Sequence, residues 1–477
     1  MKLLSLIKDC DVLNKINFKN VNITNLSIRA DQITSGGLFF AIKGNNFDGK
    51  EFVHDAIKCG AKAVVSESTL DNISIPQIIV KDIRLELTKI ARTFFNYADK
   101  KIKIIGIIGT NGKTTTATIL YHLLRDSGNN VGFIGTNKVL INDLELPNLF
   151  TTPDPIELFY TLEQMSLFDV KYVVMEISAH AIFYKKTYGI CPDYLVYTNI
   201  SNEHLDFFGT MENYSNTKLN YIASCPDTIK VINIDDSYSH RLVSLENVIT
   251  YGLDNPADVF AVNIEDSIDG VKFVCNASDD IMNIKAKLSG EYNVYNIISA
   301  IAVAKHIGID NRIIEKSIEK IHRVDGRWEI FDFPNGNKVI VDYAHTPDGF
   351  EKVLSTVKKF AKSKIITLFG CVGYSDKIKR KLMGDIASKY SDFIILSSDN
   401  YGDESFDEIC DDIGIVNNCC RIKNREDAVR FAINMLNNED ILVLLGKGNE
   451  NTQKSKKDTT FYNEIEHVKT ILKNIKG

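Results

Sequence analysis

The segment GIIGTNGKTTT at 106–116 restricts the fold of this 477-residue chain more than any other feature. An apolar run at 102–109 leads into it and a helical pattern at 114–126 follows, which predicts a strand, a tight loop and a helix. Glycines let such a loop turn its N–H groups inward, and the helix N-terminus adds positive potential. Lys113 would reach the β and γ phosphates of a nucleoside triphosphate, and Thr114 would hold Mg²⁺.

The spacing departs from the strict G-x-x-x-x-G-K pattern, because Ile107 stands at the position of the first glycine. A glycine-rich turn without a ligand is the alternative interpretation. Gly112, Lys113 and Thr114 nevertheless lie at the strand-to-helix transition that a phosphate loop requires, which favours nucleotide binding.

Two further polar segments follow apolar strands in the central part of the chain. In VVMEISAH at 173–180, Glu176 ends a buried strand, and TNISNEHLDFFGTMENYSNTK at 198–218 carries His204 and Lys218. A carboxylate at the carboxyl end of a parallel strand would emerge beside the phosphate loop, where it could hold a metal ion. Taken singly, each of these side chains is more often a solvated or internally satisfied residue than a metal ligand. Their shared position at strand ends favours a common site.

The last third of the chain shows the same arrangement three times. DYAHTPD at 342–348, GCVGYSDKIKR at 370–380 and GKGNE at 446–450 each follow an apolar strand. Helix capping by Thr346 or Asp348 explains half of the first motif without a ligand. Three strand ends with glycine and charge predict one polar edge of a cleft.

The alternation of strands and helices predicts an α/β protein of three domains. We expect a small mixed α/β domain at 1–99, a central P-loop-type domain with a parallel sheet and an antiparallel β appendage at 100–325, and a Rossmann-like α/β domain at 326–477.

Composition excludes several classes of protein. Lys and Arg number 56 against 62 Asp and Glu, a net charge of -6, so no cationic surplus is present for a nucleic-acid partner. No stretch approaches the ~18 apolar residues of a membrane span, and the N-terminal apolar run is too short for a secretory signal, which predicts a cytoplasmic protein without a membrane partner. The nine cysteines are scattered and form no C-x-x-C pair, so neither a disulfide framework nor a zinc site is expected.

Seven motifs in this order resemble those of the Mur ligases, most closely the UDP-N-acetylmuramoyl-tripeptide synthetases (MurE type): GTNGKTTT, EISAH, TNISNEHLDFFGTMENYSNTK, NVYN at 293–296, GRWE at 326–329, DYAHTPD and GKGNE. The resemblance implies an ATP- and Mg²⁺-dependent amide ligase of peptidoglycan precursor synthesis. ATP would phosphorylate the free carboxylate of UDP-N-acetylmuramoyl-L-alanyl-D-glutamate, and the amino group of a free amino acid would attack the acyl phosphate. The N-terminal domain would bind the uridine nucleotide, the central one ATP and the last the amino acid, in a protein expected to be monomeric.

The resemblance also implies site residues. It places metal ligands at Thr114, Glu176, His204 and Lys218, and a catalytic group at Lys113, Glu176, His204 and Lys218. It places ATP contacts at Gly109, Thr110, Asn111, Gly112, Lys113, Thr114, Thr115, Asn296 (near the adenine), Arg327 and Asp342, and substrate contacts at Thr151, Thr152, Ser178, Lys186, Asp399, Asn400, Gly446 and Glu450. His345 would lie near a domain junction, and Asp376, Lys377 and Arg380 fall in a further family segment. Lys218 is expected to be carbamylated, because an ammonium would be repelled by Mg²⁺ whereas a carbamate oxygen suits a hard cation.

The chain departs from the family pattern at points that bear on substrates. Arg29-Ala30-Asp31 stands where members carry Asp-Ser-Arg, Ala179 replaces a serine, and Lys186 replaces an arginine. Gly402 stands where diaminopimelate-adding members carry the arginine of Asp-Asn-Pro-Arg, so L-lysine or another amino acid is expected instead of meso-diaminopimelate. A folylpolyglutamate-synthetase-like or other amino-acid-adding ligase, and a nucleotide-binding protein without turnover, are the alternatives.

Overall fold

The structure is a computed structural model that describes residues 1–44, 47–136, 138–147, 150–278, 280–373, 376–415, 417–455 and 458–476. The chain forms two compact units. Unit 1 comprises residues 1–106, 128–195 and 224–228, and unit 2 comprises residues 107–127, 196–223 and 229–477. Strands β6 (Lys103–Ile108) and β11 (Tyr194–Tyr197) begin in unit 1 and end in unit 2. The predicted domain boundaries stay predictions.

The N-terminal part of unit 1 is a five-stranded sheet with helices. The strand order is β1-β5-β4-β3-β2, in which β1 is antiparallel to β5 and the other neighbours are parallel. The bounds are α1 Leu3–Leu6, β1 Val12–Ile16, β2 Asn25–Ser27, β3 Gly37–Phe40, α2 Val53–Cys59, β4 Ala61–Ser66, β5 Gln77–Val80 and α3 Ile83–Phe94, with 3-10 turns at Ala30–Gln32, Gly49–Phe52 and Ala98–Lys100. This confirms the expected small mixed α/β fold.

The rest of unit 1 carries a second group of strands. Strand β10 is parallel to β7, and β7, β8 and β9 form an antiparallel meander. The bounds are β7 Val131–Gly135, β8 Lys138–Ile141, β9 Leu144–Pro147, α5 Pro155–Leu167, β10 Tyr172–Ile177 and α6 Ala179–Phe183. Strand β10 carries Glu176 close to its end, as predicted, whereas β8 and β9 were not predicted.

The first part of unit 2 combines parallel and antiparallel strands. Strands β12, β13 and β14 are parallel neighbours, and β14, β15 and β16 are antiparallel, as expected of the β appendage. The bounds are α4 Lys113–Asp126, α7 Leu205–Phe208, α8 Met211–Ala223, β12 Ile229–Asn233, β13 Val248–Gly252, β14 Val259–Ser267, β15 Gly270–Ala277, β16 Asp280–Ala286, α9 Glu291–Ile307 and α10 Asn311–Lys320, with a 3-10 turn at Ser239–Arg241. Helix α4 packs against α9.

The last part of unit 2 is a six-stranded sheet of order β17-β18-β22-β19-β20-β21, in which only β17 is antiparallel to its neighbour among the described strands. The bounds are β17 Glu329–Asp332, β18 Lys338–Asp342, α11 Pro347–Phe360, β19 Ile365–Phe369, α12 Lys377–Tyr390, β20 Phe393–Leu396, α13 Phe406–Ile413, β21 Cys419–Arg421, α14 Arg425–Asn434, β22 Ile441–Leu445, β23 Thr452–Lys454, β24 Thr459–Phe461 and α15 Glu464–Lys476, with a 3-10 turn at Pro334–Gly336.

Alternating residues of this sheet enter two separate apolar clusters. Ile340 belongs to one cluster, whereas Val339 and Val341 belong to the other, so both faces of β18 are covered. Near-continuous apolar strands are what such a two-sided cover requires. The expected Rossmann-like arrangement is confirmed, and it brings the carboxyl ends of β18, β19, β20 and β22 to one edge.

The helices are short relative to a bilayer. Helix α9, the longest of those described, has 17 residues. No helix in the described part of the chain is long and apolar enough to cross a membrane.

Candidate active site

The predicted phosphate loop joins β6 to α4 through a turn that only glycine fits. Gly112 precedes the first helical residue, Lys113, with a φ of +86°, and a Cβ there would lie 2.3 Å from Oδ1 of Asn296. A Cβ on Gly109 would lie 1.9 Å from Oγ1 of Thr198. Left-handed backbone and close approach are the two conditions that select glycine. The sequence placed this loop correctly.

The loop is held by the segment that follows β11. The N–H of Asn111 donates to Oδ1 of Asn199 (3.0 Å), whose side-chain amide donates to the carbonyl oxygen of Asn111 (3.1 Å). Lys113 turns back over the loop, and its Nζ donates to the carbonyl oxygens of Gly109 (3.0 Å) and Thr110 (2.8 Å). A flexible ammonium held over a loop at a helix N-terminus is suited to binding phosphate.

Helix α8 places Lys218 beside this loop. The side chain is buried, with 1% of its surface exposed, and Nζ donates to the hydroxyl oxygens of Thr110 (3.3 Å) and Tyr214. Tyr214 lies one helical turn before Lys218, and its hydroxyl also contacts that of Thr110 at 3.0 Å. Burial, together with the nearby positive charge of Lys113, holds the pKa of Lys218 well below its ordinary value.

A buried carboxylate, Glu203, completes this cluster, and the sequence analysis did not assign it a role. It accepts a hydrogen bond from the Tyr214 hydroxyl (3.0 Å), its Oε1 lies 3.2 Å from Nε2 of His345, and 3.6 Å separates it from Nε2 of His204. Burial alone would raise the pKa of Glu203, but His204, His345 and Lys113 outweigh it and hold the pKa well below its ordinary value. The carboxylate is therefore ionised at neutral pH.

The segment after β18 contacts the phosphate loop directly. The side-chain amide of Asn111 donates to Oδ2 of Asp348 (2.7 Å), which also pairs with Lys352 (2.8 Å). Thr346, and not Asp348, caps α11 by accepting from the N–H of Gly349 (3.1 Å). Asp348 therefore does not cap α11, and its carboxylate instead connects the start of this helix to the phosphate loop.

Asp342 and Arg327, both predicted to contact ATP, lie close together. The buried Asp342 accepts from the N–H groups of Trp328 (2.8 Å) and Ala344 (2.7 Å), and burial raises its pKa. The guanidinium of Arg327 stacks on the ring of Tyr343, 4.2 Å from its centroid. Their contacts to ATP stay predictions.

Four residues at the edge of the last sheet, predicted to contact substrate, form a second cluster. Lys447 is fully buried, and its Nζ donates to Glu450 (2.9 Å), Asn400 (3.2 Å) and a carbonyl oxygen, with Asp399 at 3.6 Å. Asn400 also donates to Glu450 (3.0 Å). Gly446 adjoins the cluster, since a Cβ there would lie 3.1 Å from Asp399. The structure thus brings all four predicted residues together around a cation that the sequence analysis had not assigned.

Glu176 lies in unit 1, among threonines. It is fully buried, and its carboxylate accepts from the N–H (3.0 Å) and hydroxyl (3.2 Å) of Thr136. Thr151 contacts the same hydroxyl at 3.1 Å, and Thr152 bonds to the backbone of Glu176 (2.9 Å) and of Ser178 (3.1 Å). Of the predicted substrate residues, Thr151 is thus linked to the carboxylate through Thr136, whereas Thr152 contacts the backbone of Glu176 and Ser178.

Three of the residues at which the chain departs from the family pattern, Lys186, Arg29 and Asp31, form ion pairs. Lys186 forms an ion pair with Asp154 at 2.8 Å. Arg29 and Asp31 pair with each other at 2.8 Å on the surface.

The charged residues of the segment at 376–380 are also held by neighbouring side chains. Arg380 is fully buried and bonded to Asp412 (2.7 Å) and Glu404, while Asp376 caps α12. Lys377 lies 3.4 Å from Asp412. These contacts account structurally for the segment at 376–380.

Magnesium prefers oxygen ligands. Of the four residues predicted to bind it, Thr114 would supply a hydroxyl oxygen, Glu176 a carboxylate oxygen and carbamylated Lys218 a carbamate oxygen, whereas His204 would supply a nitrogen. Thr114, His204 and Lys218 belong to unit 2 and Glu176 to unit 1, so the set stays a prediction. In the described part of the chain no three His, Cys, Asp or Glu side chains are grouped so as to hold a metal ion.

The amino-acid sequence is similar to those of known proteins along most of its length. The Mur ligase middle domain matches residues 107–304, the Mur ligase glutamate ligase domain matches 326–448, and the Mur ligase family catalytic domain matches 22–95. A UDP-N-acetylmuramoyl-L-alanyl-D-glutamate–2,6-diaminopimelate ligase of Caldanaerobacter subterraneus subsp. tengcongensis is 37% identical over 99% of both chains.

Solved structures show the same fold. One of a UDP-N-acetylmuramoyl-L-alanyl-D-glutamate–2,6-diaminopimelate ligase has a TM-score of 0.66 and 27% identity, covering 95% of this chain and 96% of its own. A folylpolyglutamate synthase of Mycobacterium tuberculosis has a TM-score of 0.64 and 16% identity, covering 76% of this chain and 92% of its own. The phosphate loop, the ordered motifs and these full-length matches together establish that the chain belongs to the Mur ligase family of ATP-dependent amide ligases.

Proposed function

We propose that this protein adds the third amino acid to UDP-N-acetylmuramoyl-L-alanyl-D-glutamate. The observation that carries the proposal is the cluster of Lys113, Lys218, Glu203 and His345 around the phosphate loop of unit 2. Relatives named for this acceptor cover the full chain, whereas the folylpolyglutamate synthase covers about three quarters of it. The muramoyl acceptor is therefore favoured over folate.

The chemistry has to bring an anionic carboxylate to an anionic γ-phosphate. Lys113 would neutralise and orient the phosphates, so the carboxylate oxygen can bond to phosphorus while the bond to ADP breaks. The amine then attacks the carbonyl carbon and phosphate leaves. Thr114, His204 and carbamylated Lys218 of unit 2 would hold magnesium, which would supply charge neutralisation.

The surroundings of Lys218 support the proposal that it is carbamylated. Its Nζ is buried and donates to two hydroxyl oxygens, and in the described part of the chain no carboxylate lies within ion-pair distance of it. A buried ammonium without an anionic partner is unfavourable. Addition of CO₂ removes that positive charge and provides the oxygen ligand that the metal prefers.

Diaminopimelate is the first candidate for the added amino acid, because relatives that match over the full length of the chain carry it in their names. These names count against L-lysine, the added amino acid that the sequence alone predicts. Lysine stays the second candidate, because Gly402 offers no side chain to a distal carboxylate. The nearby cation, Lys447, is already held by Glu450 and Asn400.

The test measures ATP-dependent phosphate release with the muramoyl dipeptide and a panel of amino acids. Release that requires both the acceptor and one amino acid supports the proposal. Equal release with a folate acceptor, or release independent of any acceptor, would contradict it. The variant Gly402→Arg tests amino-acid specificity. If residue 402 contacts the distal carboxylate of diaminopimelate, this variant should prefer diaminopimelate over lysine more strongly than the wild type does. Cytoplasmic location and a monomeric state stay predictions.

A further inference from the structure

Tyr214 occupies the position between Lys218 and Glu203. It lies on α8 four residues before Lys218, a spacing that puts both side chains on one face of the helix. Its hydroxyl accepts from Nζ of Lys218 and lies 3.0 Å from both Oε2 of Glu203 and Oγ1 of Thr110. Only 1% of Tyr214 is exposed, so water does not compete for these bonds.

The direction of these hydrogen bonds follows from the charges. An ionised carboxylate can only accept, so the single hydroxyl proton of Tyr214 is committed to Glu203. The lone pairs of the Tyr214 oxygen are then available to accept an N–H of Lys218.

We propose that Tyr214 is a positioning residue that holds the nitrogen of Lys218 while that nitrogen is carbamylated. The proposal rests on the carbamate of the proposed function and adds a residue to it. Glu203 acts through Tyr214 by fixing the orientation of its hydroxyl.

The geometry suits both forms of the lysine. A neutral amine attacks the carbon of CO₂: the N–C bond forms, one C=O electron pair moves onto oxygen, and one N–H proton leaves to solvent buffer. The carbamate nitrogen keeps one hydrogen, which can still donate to Tyr214. Because that bond fixes the nitrogen, it restricts the directions in which the new carboxylate can point.

The test compares Tyr214→Phe with the wild type in ¹³C-labelled bicarbonate. We expect the carbamate ¹³C signal and turnover of the variant to require about tenfold more bicarbonate, the effect of losing one buried hydrogen bond. High bicarbonate should restore most of its turnover. Tyr251→Phe is the control, since it removes a buried hydroxyl that donates to the Tyr197 carbonyl (3.0 Å), and its bicarbonate requirement should match the wild type.

Glu203→Gln serves as the second variant should Tyr214→Phe not fold, because it keeps Tyr214 and removes the charge that directs its proton. Its bicarbonate requirement should also rise. An unchanged requirement in a folded variant, or a loss of turnover that bicarbonate does not relieve, would overturn the role of Tyr214. Absence of any carbamate signal in the wild type would instead overturn the carbamate itself, so the two failures are distinguishable.

Discussion

The left-handed turn at Gly112 gives a prediction whose size can be worked from the structure. An L-residue at φ +86° costs about 1–2 kcal/mol. The added Cβ would also lie 2.3 Å from Oδ1 of Asn296, and moving that side chain disturbs its hydrogen bond to Asn293 (3.0 Å), worth about 1 kcal/mol. The total for Gly112→Ala is about 2–3 kcal/mol.

If the observed loop is the nucleotide-binding conformation, this energy appears as weaker binding of ATP. At 1.4 kcal/mol per tenfold, Gly112→Ala should raise the Kd roughly 30- to 150-fold. In an Asn296→Ala background the contact is absent, so the same substitution should raise the Kd only about 5- to 30-fold. Isothermal titration calorimetry with ADP and with a non-hydrolysable ATP analogue measures each Kd.

Gly128→Ala is a matched control, because Gly128 has a φ of +85° with no atom within 4 Å of an added Cβ. It should lower the free energy of unfolding by about 1–2 kcal/mol while leaving the Kd for nucleotide unchanged. A wild-type Kd in Gly112→Ala would refute the argument, because it would mean that nucleotide binding does not depend on the left-handed turn.

Three further predictions address chemistry and stability. Lys113→Ala should lower kcat at least 100-fold in phosphate release while the far-UV spectrum stays unchanged, and turnover within tenfold of wild type would contradict its role. Arg425 and Glu464 form a fully buried ion pair at 2.7 Å, so Glu464→Gln should lower the free energy of unfolding, measured in urea, by about 3–5 kcal/mol. A loss below about 1 kcal/mol would show that the pair is dispensable. Hydrogen bonds to Asp440 outweigh burial and lower its pKa, so Asp440→Asn should destabilise the protein by about 1–3 kcal/mol at pH 7. That difference should disappear as the pH falls through the lowered pKa, below about 3.9, and a difference that grows on acidification would reverse the sign of the argument.

Local sequence signals predicted the elements that carry the phosphate chemistry. The loop at 109–112 and helix α11 both combine a strong turn residue with a change from strand to helix periodicity, and α11 begins at Pro347, directly after Thr346, one of the two predicted caps. Such signals lie within a few residues of one another, so no knowledge of the tertiary fold is needed.

Long-range partners were not predictable in the same way. Glu203 is 142 residues from His345 in sequence, and Asn111 is 237 residues from Asp348, so nothing in either local segment indicates the contact. Tyr214 is the exception, because its spacing of four residues from Lys218 on a helix was visible in the sequence. The antiparallel strands β8 and β9 were missed since each has only four residues, too few for a clear period.

The central claim is that ATP activates a carboxyl group as an acyl phosphate. The most direct measurement uses muramoyl dipeptide labelled with ¹⁸O in its free carboxylate and determines the mass of the phosphate released in the presence of the amino acid. The account predicts one ¹⁸O atom in each phosphate, because the carboxylate oxygen that bonds to phosphorus leaves with it. Unlabelled phosphate formed together with the amide product would contradict the account.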